Sequence, residues 1–149
     1  MDNYKTTKKP ITLLSPLGLS PGLLYSALMT IKPHHLVVMT SKEGENSLDE
    51  IIQRAEYLGS VNVVRIEDPF NCFTEANQKS EEVVSILNYN PCVINLTGGT
   101  TALQFIIQRV GAALESRDCK VDYIALVDRR SVQEQRNNPW VVGELIRVM

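Results

Sequence analysis

Short continuous apolar runs alternate along this chain with segments whose apolar residues recur every three or four positions. Ile11 to Leu14 is the first run and predicts a strand, which ends in Ser15-Pro16-Leu17-Gly18-Leu19-Ser20-Pro21-Gly22. Pro21 suits the first position of a helix with Ser20 as its cap, and the helix runs to Ile31. It has almost no polar face, so it lies deep in the domain or under a second subunit. Leu36 to Met39 predicts a second strand, ending in Thr40-Ser41-Lys42-Glu43-Gly44. Leu48, Ile51, Ile52, Ala55 and Leu58 then form one stripe, which predicts a helix from Leu48 to Leu58, capped by Ser47 and closed by Gly59.

Val61 to Ile66 is a third strand, followed by Glu67-Asp68-Pro69-Phe70-Asn71 and a helix from Phe73 to Leu87. Val93 to Leu96 is a fourth strand. It passes through Thr97-Gly98-Gly99-Thr100-Thr101 into a helix ending near Ser116. Val121 to Val127 is a fifth strand, ending in Asp128-Arg129-Arg130-Ser131, and Asn137-Asn138-Pro139 reads as a turn. Glu144 to Val148 is a sixth strand, antiparallel at one edge.

This alternation predicts an α/β fold, a Rossmann-like three-layer arrangement. The sheet is mainly parallel, with helices on both faces and an antiparallel edge strand. In the order 3-2-1-4-5 the winding reverses between the first and fourth strands. Ligands sit beyond the carboxyl ends of the strands at such a reversal. Those two strands carry the most glycine-rich ends of the chain. A helix start after Gly-Gly offers unpaired N–H groups and a dipole to an anion, and threonine hydroxyls add donors. A strand–helix turn with a threonine cap has the same sequence, so the pattern alone leaves both readings open.

At 149 residues, with a net charge of −2, the chain is one domain with no overall basic field for duplex DNA or RNA. Any anionic ligand is therefore met locally. Lys42, Arg129 and Arg130 follow strand ends and fall on the ligand-binding rim. The alternatives are ion pairs of Lys42 with Glu43 or Glu45, and of the arginines with Asp128 or Glu134. Cys72, Cys92 and Cys119 fit neither a zinc spacing nor a disulfide framework, which suits a reducing cytoplasm. His34 and His35 precede the second strand, at the end of the sheet away from the rim. Glu67 and Asp68 read as a turn rather than a metal site, and no cofactor is called for. No apolar run reaches the roughly 18 residues of a membrane span. Residues 1–10 read as a solvated tail, and 11–149 as a single domain.

Ser15 to Pro21 after the first strand, together with Asn95-Leu96-Thr97-Gly98-Gly99-Thr100 at the end of the fourth, resembles the CARF family (CRISPR-associated Rossmann fold) over essentially the whole chain. Asp128-Arg129-Arg130 is compatible with it. The resemblance implies a homodimer that binds a cyclic oligoadenylate, a messenger of type III CRISPR antiviral defence, across its two-fold axis. It further implies that Leu17, Gly18, Ser41, Asn71, Thr97, Gly98, Gly99, Thr100, Thr101 and Arg130 line the ligand. The family often has lysine at the position of Thr101, so Lys42 or Arg129 has to supply charge here. At this length there is no room for the effector module that most CARF proteins carry. One implied reading is a metal-independent ring nuclease that leaves 2′,3′-cyclic phosphate ends, with Ser15, Ser20, Lys42 and Arg129 as catalytic residues. A second is a sensor without catalysis. A third, outside the family's chemistry, is a mononucleotide-binding α/β protein.

Overall fold

The computed structural model describes residues 10–88 and 90–149. The expected tail therefore lies, except for residue 10, outside the described residues. Six strands form one sheet in the order β3-β2-β1-β4-β5-β6. They are β1 (Thr12–Leu17), β2 (His35–Thr40), β3 (Ser60–Arg65), β4 (Cys92–Asn95), β5 (Val121–Val127) and β6 (Glu144–Arg147). All pairings are parallel except β5 with β6. This is the expected Rossmann-like fold, with the winding reversing between β1 and β4.

The central strands β1, β2 and β4 are buried on both faces because helices cover both, while the edge strands β3 and β6 are mostly exposed. Alternate residues sort cleanly. Leu14, Val37, Met39 and Ile94 join one core, under α4 (Ala76–Leu87) and α5 (Thr101–Glu115). Leu13, Leu36, Val38, Val93, Ile124 and Leu126 join the other, under α1 (Gly22–Ile31) and α3 (Leu48–Arg54). Two short helices complete the chain, α2 (Lys42–Glu45) and α6 (Val132–Asn137).

Three expectations are corrected. The first strand runs to Leu17 rather than Leu14, because it pairs with β2 at every position to Thr40. Its pairing with β4 stops at Leu14, and a proline is tolerated where a strand has a partner on one side only. The helix from Leu48 ends at Arg54, and the chain leaves it through Glu56 at a φ of 52°. Leu58 lies past that end and is 98% exposed, while Tyr57 takes the core contact. The segment after the third strand starts as a 3-10 turn, Cys72–Glu75, before α4.

The nearly all-apolar α1 is covered from within the chain. Tyr25 meets Trp140 edge-on at 5.5 Å. The Gly143 N–H donates to the Ser26 hydroxyl at 2.8 Å, and a Cβ at Gly22 would lie 2.7 Å from the Pro139 carbonyl oxygen. The segment 139–143 therefore lies on the face a second subunit could have covered.

Candidate functional site

The carboxyl ends of β1 to β4 open onto a cleft of about 320 Å³. Its floor is backbone. Gly98 and Gly99 have φ of 100° and 76°, which only glycine adopts freely. A Cβ on Gly18 would lie 3.2 Å from the Gly99 nitrogen, so the first-strand and fourth-strand loops meet through their glycines. Gly18, Ser20, Ser41, Gly98, Gly99 and Thr100, all expected at the ligand, line this cleft. Thr100 caps α5 by accepting from the Leu103 N–H at 3.2 Å, and its hydroxyl donates to the Pro69 carbonyl. Thr101 is the exposed first residue of α5. The first N–H groups of that helix have no intrahelical acceptor, and its dipole favours an anion beside them.

Beneath the loops, Asn95 is fully buried and ties them together. Its amide NH2 donates to the Ser15 hydroxyl at 3.0 Å, and its amide oxygen accepts from the Thr97 N–H at 2.9 Å. Ser15 in turn donates to the Pro16 carbonyl at 2.9 Å. The strand therefore carries Ser15 into the interior, at 0% exposure, rather than presenting it on an open loop. Leu17 is likewise a core side chain at 2% exposure, with its carbonyl accepting from the Thr40 hydroxyl at 2.7 Å. Thr97 turns inward too, accepting from the Leu126 N–H at 2.8 Å as a brace between β4 and β5. Asn71 is exposed outside the cleft lining, and its N–H closes the turn onto the Asp68 carbonyl at 3.2 Å.

The basic residues divide. Lys42, at the start of α2, is exposed and makes no ion pair among the described residues. Glu45 pairs with Arg65 instead. Arg129 and Arg130 lie at the end of β5, beside a separate hollow with Val127, Val141 and Val142. Arg129 pairs with Glu144 at 2.8 Å. Arg130 holds Asp128 through both carboxylate oxygens, at 3.0 and 2.8 Å, and donates to the Asn138 carbonyl at 2.9 Å. That hydrogen bond holds the Asp128 carboxyl below its ordinary range. The predicted arginines are thus apart from the glycine loops and engaged with their own chain.

Sequence reasoning missed three parts of the rim. Pro69 and Phe70 close one side of the cleft and Leu19, Leu23 and Leu103 its apolar wall. Their signal was position alone, since every loop after a parallel strand reaches this rim. Glu43 is the only charged side chain among the described residues of that lining. A second cleft of about 470 Å³ lies across the Leu19–Leu23 segment, between α1, β5 and α6, and Arg136 lines it. The Ser131–Glu134 capping box that starts α6 was readable as Ser-x-x-Glu.

Cys72 and Cys92 are buried and not poised as nucleophiles. Burial pushes the Cys72 thiol up, and the Cys92 thiol to about 12. His34 Nδ1 accepts from the Ile11 N–H at the far end of the sheet. Asp68 closes a turn by accepting from the Phe70 N–H at 3.0 Å. Among the described residues no three His, Cys, Asp or Glu side chains gather as a metal site, and no helix is long and apolar enough to cross a membrane.

No protein-family model and no curated protein matches the chain. Solved structures do. Can2 from Sulfobacillus thermosulfidooxidans, in complex with cyclic tetra-adenylate, aligns with a TM-score of 0.64 at 11% identity over 78% of this chain. Csm6 of Enterococcus italicus, bound to cyclic hexa-2′-fluoro-hexa-dAMP, aligns with a TM-score of 0.64 at 12% identity over 95% of it. The chain spans 32% and 43% of those two proteins. At such identities the likeness shows a shared fold.

Proposed function

We propose that residues 11–149 form a CARF domain that binds a cyclic oligoadenylate as a homodimer, in type III CRISPR signalling. One observation carries this reading. The two glycine loops whose sequence resembles that family meet at the topological switch point, on a fold shared with two structures that hold cyclic oligonucleotides. A ring of four or six nucleotides can be two-fold symmetric, so the same loops from two copies suit its two halves. Backbone N–H groups at Gly98 to Thr101 and the start of α5 receive phosphate, with Lys42 adding a nearby positive charge.

Ring opening is the second reading, favoured by Ser20 and Lys42, which are exposed near the rim and make no ion pair or side-chain hydrogen bond among the described residues. The ribose 2′-hydroxyl would attack the adjacent phosphorus and expel the 5′-oxygen, which takes up the proton. The products are a 2′,3′-cyclic phosphate and a 5′-hydroxyl. This chemistry rests on in-line positioning and charge stabilisation. Ser15 is buried and Arg129 and Arg130 are paired with Glu144 and Asp128, so none of the three is assigned a part.

The test is incubation of the protein, in molar excess with EDTA, with cyclic tetra-adenylate and then cyclic hexa-adenylate, followed by chromatography. Co-elution of an intact ring with a dimer supports binding without cleavage. Linear products with 2′,3′-cyclic phosphate ends support the ring nuclease. Absence of binding to both rings overturns the proposal.

A further inference from the structure

Two residues of the cleft lining do not suit a phosphate. Glu43 places a carboxylate there, and Phe70 places an aromatic ring, 79% exposed and the most exposed of the three phenylalanines. An exposed phenylalanine alone means little. The backbone of this one is anchored. It sits third in a turn closed by the Asn71 N–H on the Asp68 carbonyl, with Pro69 before it. Its own N–H donates to the Asp68 carboxylate at 3.0 Å. The preceding carbonyl accepts from Thr100, which ties the turn to the Gly98-Gly99 loop. Leu19, Leu23 and Leu103 line the same cleft. The lining therefore combines an exposed aromatic ring on an anchored turn, apolar side chains and one carboxylate, beside glycine backbone suited to phosphate.

Resting on the reading that this cleft receives a cyclic oligoadenylate, we infer that the Phe70 side is a nucleobase pocket. Phe70 stacks on an adenine, and Glu43 accepts a hydrogen bond from its exocyclic amine. Stacking desolvates the ring that the fold leaves in water. The carboxylate repels phosphate from this side and so orients the nucleotide. It also selects bases that carry an amino group over those that carry an oxo group, whose oxygen it would face acceptor to acceptor.

The experiment measures binding of cyclic tetra-adenylate, and of cyclic hexa-adenylate if the first fails, to wild type, Phe70→Ala, Phe70→Trp and Glu43→Ala. Cyclic tetra-inosinate, in which the amine is an oxo group, is the competitor. Phe70→Ala is expected to weaken binding about 10- to 100-fold, and Phe70→Trp to retain it with quenched tryptophan fluorescence. Wild type is expected to prefer the adenylate ring to the inosinate ring by about 10-fold, and Glu43→Ala to narrow that preference to about 2-fold. Unchanged affinity in Phe70→Ala overturns the inference while leaving the binding reading intact. So does a weaker dimer whose affinity for the ring is unchanged, since Phe70 is then a contact between copies. A preference that survives Glu43→Ala overturns the carboxylate's part. If wild type binds neither adenylate ring, the inference falls with the reading beneath it.

Discussion

The β1–β4 cleft and the β5 corner look equivalent in a linear reading, since each is a polar loop following a parallel strand on the same rim. Their internal accounts differ. At the corner, Arg129 holds Glu144 and Arg130 holds Asp128 and the Asn138 carbonyl, so its charges are largely used within the chain. In the cleft the loops touch backbone to backbone at Gly18 and Gly99, and the start of α5 keeps donors with no intrahelical acceptor. On the proposed reading, charged side chains are a poor guide to the anion site in this fold. Unsatisfied backbone beside glycines is a better one.

The sharpest way to break this contrast is Gly99→Val. The position has a φ of 76°, and a Cβ there would lie 3.1 Å from both Pro16 Cβ and Leu103 Cδ1. A branched side chain must displace the loop, and binding of cyclic tetra-adenylate is expected to fall more than about 100-fold while the fold persists by circular dichroism. Retained affinity would show that the glycine floor is not the receptor. Next in size is Asn95→Leu. It removes the amide that joins Ser15 to Thr97, leaving the Thr97 N–H without its acceptor and the buried Ser15 oxygen without its donor, and is expected to cost about 2–4 kcal/mol in urea unfolding. Loss of under about 0.5 kcal/mol would mean the two loops are held in register some other way.

Lys42→Ala ranks third. Lys42 makes no ion pair among the described residues and lies beside, not in, the cleft lining. Its removal is expected to weaken ring binding about 3- to 10-fold at low salt, and less as salt rises. An effect independent of salt would assign Lys42 a direct, desolvated contact.

The order of strands, the reversal between β1 and β4, and the antiparallel edge strand were legible because each strand is a dense apolar run bounded by turn residues. The glycine loops were legible as turns at that reversal, but Thr-Gly-Gly-Thr also suits a threonine-capped strand–helix turn, and Thr100 does cap α5. Ser15 and Leu17 were misplaced because a proline normally stops a strand; here β1 continues past it along β2 alone. Phe70 was passed over because no local pattern separates an exposed aromatic on a cleft from one on an ordinary turn. The pairings of Arg129 and Arg130 were also beyond a single sequence. Glu144 lies in a strand whose register the arginines do not encode, and Asn138 is reached only once α6 has turned the chain back.

The smallest expected effect is at the corner itself, and it separates a structural arginine from a ligand-binding one. Arg130→Ala should leave ring affinity within about 2-fold of wild type, the size of change expected away from a charged contact. It should lower thermal stability slightly near neutral pH by freeing α6 from Asp128 and Asn138. The pH dependence fixes the sign. Arg130 holds the Asp128 carboxyl below its ordinary value of 3.8, so the paired carboxylate stabilises the fold above that value. That contribution is lost as pH falls through the lowered folded value, where Asp128 takes up its proton. The stability gap between wild type and Arg130→Ala, followed by thermal melts, should therefore be present at pH 7 and shrink below pH 4 or so. A tenfold loss of ring binding with no such gap would move Arg130 out of the corner's internal account and into the receptor. The difference between the two regions would then lie in loop shape and not in which groups are already satisfied.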